Sequence, residues 1–149
     1  MRITIPEELR LLAEAFQQEN INIYAVGGLV RNALLHLPPS DIDVCSRLTP
    51  EEVSLAMPKH GIRVIPKAAE MGTVELHYAS VRVEHTTFRR ESYADGGAHR
   101  PNDVAFGESL TDDAWRRDFS VNALYADLLT GEIGDPTGGI LDLEWQIIR

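Results

Sequence analysis

Residues 21–45 carry the signal that most limits the fold. An apolar run at 21–26 is followed by Gly27-Gly28. A helical stretch at 29–37 is then stopped by Pro38-Pro39, and an alternating segment follows at 41–45. Strand, glycine turn, helix and strand in that order commit the chain to a mixture of helices and strands. The rest agrees. Thr4-Ile5-Pro6-Glu7 has the spacing of a capping box, with Leu9, Leu12, Ala13 and Phe16 at helical intervals and Asn20 as a stop. Thr49-Pro50-Glu51-Glu52 is a second box with proline at the first helical position.

Residues 63–66, 73–78 and 81–89 alternate as strands, the last two forming an antiparallel hairpin turned at Ala79-Ser80. Residues 91–108 form a long polar loop with Gly96-Gly97 and Pro101, and a loop of that length serves function or moves. A helix is expected over 109–126, broken near Arg117-Asp118, then a hairpin over 128–133 around Thr130-Gly131. Repeats and low-complexity segments are absent. A chain of 149 residues suits one domain with one core.

No apolar run approaches the ~20 residues of a membrane span, and the N-terminus lacks a signal-peptide pattern. One cysteine, Cys45, leaves no internal disulfide and fits a reducing cytoplasm. The net charge of −9 excludes a simple nucleic-acid-coating domain. An RNA partner would require either basic residues gathered on one face or a grip supplied by another domain.

Asp41 and Asp43 are two apart on a strand and so project from one face, roughly 6–7 Å apart along it. Ile42 and Val44 face the other way. Two such carboxylates can share hard divalent cations, and a metal pair can stabilise both oxygens of an in-line phosphoryl displacement. With 23 acidic residues in the chain, acid-x-acid spacings also arise by chance. Setting distinguishes them: Asp41-x-Asp43 has an apolar back and follows a glycine turn, whereas Asp142-x-Glu144 follows a turn and reads as a solvated face. Glu84 shares a face with Arg82 and Thr86, as a third carboxylate or as a surface glutamate paired with Arg82.

Gly27-Gly28 before a helix can bring backbone amides to an anion, with Arg31 in reach of a phosphate held there. A plain strand-to-helix turn would look the same. Arg116-Arg117-Asp118 offers planar guanidinium forks for phosphate, or an exposed ion-pair cluster on a helix. His77, His85 and His99 lack metal-ligand spacing.

The order Gly-Gly-x-Val-Arg, Asp-x-Asp, Gly72-Thr73-Val74, Glu84-x-Thr86-Thr87-Phe88-Arg89, Arg100-Pro101 and Arg116-Arg117-Asp118-Phe119 resembles the head domain of class II tRNA nucleotidyltransferases. That family includes CCA-adding enzymes and bacterial poly(A) polymerases. The resemblance runs from about Ile23 to Arg149. It implies an α+β fold of the DNA polymerase β-like kind, a small mixed sheet flanked by helices, with residues 1–149 as the catalytic head. It implies transfer of CMP and AMP from CTP and ATP to a tRNA 3′ end, with Mg2+ at Asp41 and Asp43 and Glu84 as the third carboxylate.

Gly27, Gly28 and Arg31 would meet the triphosphate. Arg116, Arg117, Asp118 and Asn122 would hold the incoming nucleotide, and Arg89 would open a flexible catalytic loop. Neck, body and tail domains are expected after residue 149, carrying base selection and most of the tRNA grip. Within the family, a poly(A) polymerase or an enzyme adding only CC or only A fits the same residues. Asn32, Ala68 and His85 depart from the family pattern, and a silent nucleotide-binding module is the reading from another class.

Overall fold

A computed structural model describes residues 2–37, 42–90, 105–106 and 124–136. Its seven-stranded sheet is built from β1 (Tyr24–Val26), β2 (Asp43–Ser46), β3 (Arg63–Ala68), β4 (Thr73–Tyr78), β5 (Val81–Thr87), β8 (Tyr125–Asp127) and β9 (Ile133–Gly134). The strand order is β3-β4-β5-β2-β1-β8-β9. Every neighbouring pair is antiparallel except β2 and β5, which run parallel, so the sheet is mixed as expected. A two-stranded ribbon, β6 (Arg89–Arg90) with β7 (Ala105–Phe106), stands apart.

Among the described residues three α-helices, α1 (Arg10–Gln18), α2 (Gly28–Leu34) and α3 (Pro50–Ala56), accompany the sheet. Alternation along the strands decides which residues face them. Ala25, Val44, Val74, Leu76, Tyr78, Val83 and Ala126 pack with Leu9, Leu12 and Phe16 from in and just before α1 and with Val53, Ala56 and Met57 from in and just after α3. Burying each large side chain contributes on the order of 1.5–3 kcal/mol, and this layer is the main core. Among the described residues no helix is long and apolar enough to cross a membrane.

The capping box at Thr49 forms in full. Thr49 Oγ1 accepts from the Glu52 amide at 3.2 Å, and Glu52 Oε1 accepts from the Thr49 amide at 3.0 Å. The one expected at Thr4 does not form. Residues 7–9 make a 3-10 turn whose leading residue, Pro6, has no side-chain cap. The reason is tertiary: Arg2 bridges Glu132 and the Ile3 amide donates to the Gly131 carbonyl at 2.9 Å, which ties this segment to the sheet edge. Gly131 has φ +76°, and a Cβ there would collide with the Ile3 carbonyl oxygen. Only glycine permits that approach.

Other boundaries differ from expectation. Asn20, at positive φ, stops the first helix as expected, whereas α2 ends at Leu34, ahead of His36 at positive φ, rather than at residue 37. Tyr125 and Ala126, expected at the end of a helix over 109–126, lie in β8, because pairing with Val26 and Ala25 overrides local propensity. The polar stretch 91–108 contains β7.

Candidate active site

The face of the sheet turned away from α1 and α3 is set by the same registers. Asp43 stands beside Glu84 across the parallel pair, and Glu84 stands beside Glu75 across the hairpin. Paired residues share a face, so three carboxylates form one row at a strand spacing of about 4.8 Å. The parallel ladder reaches past β2 itself: the Glu84 amide donates to the Ile42 carbonyl at 3.3 Å. Asp43 is exposed at the start of β2, and Glu84 is partly exposed.

Beside this row the same face carries a small apolar patch. Val26, Cys45, Phe88 and Tyr125 are buried together with Tyr24 against them. Tyr24 lies 6.1 Å from the Phe88 ring and 6.4 Å, edge-on, from Tyr125. Burial raises the Tyr24 pKa, with the nearby Asp127 charge acting in the same direction. Cys45 shares the face of Asp43, as alternation requires, and serves as packing.

The end of β1 and the start of β2 coincide. Tyr24 pairs with Cys45 and Ala25 with Val44, so one further step brings Val26 alongside Asp43. The glycine turn therefore emerges at the acidic end of β2. Gly27 has φ +73° and ψ −127°, and among the described residues beyond its chain neighbours no heavy atom lies within 4 Å of where its Cβ would be. Backbone conformation, not crowding, requires glycine there. Its amide donates to the Leu124 carbonyl at 3.3 Å, so Gly27 shapes the turn and does not offer that amide to a ligand. Gly28 begins α2. Arg31, half-buried, donates from Nε to Asn32 Oδ1 at 3.2 Å, which ties it to the residue that departs from the family pattern.

Glu84 does not pair with Arg82. Its partner is Lys67, whose Nζ lies 3.0 Å from Glu84 Oε2 and 3.7 Å from Glu75 Oε2. The Glu84 carboxylate holds the Lys67 pKa above its usual value. Glu75 also binds His77 Nε2 at 2.9 Å, and that bond is the largest cause of its lowered pKa. Lys67 was missed by sequence reasoning. It follows the strand expected at 63–66, and no local spacing links it to residue 84.

The described residues thus bring together Gly27, Asp43 and Glu84, with Arg31 on the adjoining helix. Asp41, Arg116, Arg117, Asp118 and Asn122 lie outside the described residues, and Arg89 is described only as backbone in β6. Among the described residues no three His, Cys, Asp or Glu side chains gather as a metal site. The donors present do fit magnesium in kind: Asp43 and Glu84 are adjacent carboxylates on an accessible face, and hard cations take oxygen ligands.

A family profile described as the poly A polymerase head domain matches residues 23–149. The chain is 41% identical to the CCA-adding enzyme of Enterococcus faecalis over 98% of this chain and 35% of that protein. It is 40% identical to the CCA-adding enzyme of Streptococcus pneumoniae over 100% of this chain and 37% of that protein. Among solved structures, the Bacillus stearothermophilus CCA-adding enzyme in complex with CTP superposes with a TM-score of 0.80 at 30% identity, covering 97% of this chain and 34% of that one. A tRNA nucleotidyltransferase complexed with a primer tRNA and an incoming ATP analogue superposes with a TM-score of 0.68 at 30% identity, covering 93% and 38%. The chain spans about a third of the length of the curated relatives it matches. On the profile match over residues 23–149 and these identities, the chain belongs to the poly A polymerase head domain family.

Proposed function

We propose that this chain is the nucleotidyl-transferring head of a CCA-adding tRNA nucleotidyltransferase, working with neck, body and tail domains in a longer cytoplasmic protein. Asp41 and Asp43 would hold magnesium. Glu84, the register partner of Asp43, would be the third carboxylate. When bound, the metal would supply the positive charge that eases deprotonation of the primer's 3′ hydroxyl and offsets charge on the α-phosphate. The chain's own residues bind and orient. The glycine turn and Arg31 would receive the triphosphate of CTP or ATP. Arg116, Arg117, Asp118 and Asn122 would hold the rest of the nucleotide, and Arg89 would open the loop that assists catalysis. The primer oxygen bonds to the α-phosphorus, the bond to the β-phosphate's bridging oxygen breaks, and pyrophosphate leaves.

The observation that carries this reading is the register pairing of Asp43 with Glu84 at the end of the sheet where the glycine turn emerges. The names of the relatives support the acceptor and the nucleotides. A hybrid tests it: residues 1–149 joined to the remaining two thirds of the Enterococcus faecalis relative, given tRNA lacking its 3′ CCA, CTP, ATP and magnesium. The expected product carries CCA, with pyrophosphate released. A folded, tRNA-binding hybrid that releases none, or an Asp41→Ala/Asp43→Ala hybrid that still does, overturns the assignment. A long A-only tail would redirect it to poly(A) synthesis.

A further inference from the structure

Strand β3 lies at the edge of the sheet and is irregular at one place. Pro66 pairs with Val74 and Ala68 pairs with Thr73, so Lys67 is the extra residue of a β-bulge. Bulges re-aim a side chain, and Pro66, which has no amide hydrogen, suits a strand edge. Here the re-aimed side chain reaches across β4. Its ammonium touches both glutamates of the carboxylate row, 3.0 Å from Glu84 and 3.7 Å from Glu75. Like charges directly opposite on neighbouring strands repel. Glu75 is relieved twice, by Lys67 and by His77, whereas among the described residues Glu84 pairs with Lys67.

We propose that Lys67 is an internal counter-cation of the candidate active site, competing with a divalent metal for the Glu84 carboxylate beside Asp43. It acts as a positioning residue. While Lys67 holds Glu84, the oxygen nearest the ammonium is occupied, and a metal at the aspartates must displace it to recruit the third carboxylate. The metal demand of this face is then set by Lys67 as well as by the acids. This rests on the proposed function's reading of the face at Asp43 as a metal site. An edge lysine that only protects the sheet from pairing with another chain would be indifferent to metal.

The test is Mn2+ binding to the 149-residue chain, followed by the electron paramagnetic resonance of the free ion. Lys67→Met should tighten binding roughly two- to fivefold, the worth of an exposed ion pair. Lys67→Arg, which keeps the charge, should match the parent. Lys59→Met makes the same charge change at a lysine paired with Glu19, and it too should match the parent. Adding Glu84→Gln to Lys67→Met should cancel the gain. Unchanged binding in Lys67→Met, an equal gain in Lys59→Met, or a gain surviving Glu84→Gln overturns the inference. Asp43→Asn separates the two levels. If it abolishes binding while Lys67→Met has no effect, only the role of Lys67 falls; if it leaves binding intact, the metal-site reading falls and the inference with it.

Discussion

The two faces of the sheet divide the labour of one set of strands. On β5, Val83, His85 and Thr87 point toward the helices, while Arg82, Glu84 and Thr86 point away. Toward the helices every polar group is buried: His85 stacks on Phe16 at 5.7 Å, and Thr87 Oγ1 donates to the Leu48 carbonyl at 2.7 Å. Away from them, Lys67 pairs with both Glu84 and Glu75, all three partly exposed. On the proposed function, the difference teaches that stability and chemistry would be nearly separable here, although successive residues would serve them. Substitutions on one face should alter folding, and those on the other should alter transfer.

The sharpest break in that contrast would come from Phe16, which is fully buried between α1 and the sheet. Phe16→Ala should cost about 3–5 kcal/mol in urea-monitored unfolding. Asp43→Asn, on the exposed face, should lower nucleotide transfer by the hybrid enzyme by about 10²–10³-fold, comparable to removing one preorganised charge-stabilising group. Its unfolding midpoint should barely move. A variant that lost both stability and transfer would show that the faces are coupled.

His85 sharpens the comparison through pH. Burial lowers its pKa from 6.5 to about 4, its Nε2 lies 2.7 Å from Ser46 Oγ, and Nδ1 is buried without a partner among the described residues. The folded state therefore binds a proton less readily than the unfolded chain. Stability from this group is present above about pH 6.5 and is lost as pH falls toward 4, a total of about 3 kcal/mol. His85→Leu should flatten that part of the acid limb in unfolding measured from pH 7 to 4.5. An unchanged slope would mean that other groups carry it.

Legibility in the sequence followed the range of the interaction. The Thr49 box needs only groups three residues apart, and the hairpin turned at Ala79 needs only alternation and a tight turn; both form. The Thr4 box has the same local pattern but loses to a bond between Ile3 and Gly131. The identity of Asp43 and Glu84 as candidates was legible, but their adjacency was not, because it rests on a parallel pairing between residues 41 positions apart. Lys67 was hidden for a related reason. A bulge shifts the alternation that would have shown which face it joins.

The central claim is that the exposed face at Asp43 is where metal and nucleotide meet. Paramagnetic broadening of the isotope-labelled chain by sub-stoichiometric Mn2+ with CTP tests it most directly. The amides of Asp43, Glu84 and the Gly27 turn should disappear first, while those of Leu12, Phe16 and Val53 on the helix side persist. Broadening centred instead on surface acids such as Glu7 or Glu51, with Asp43 and Glu84 unaffected, would contradict the account.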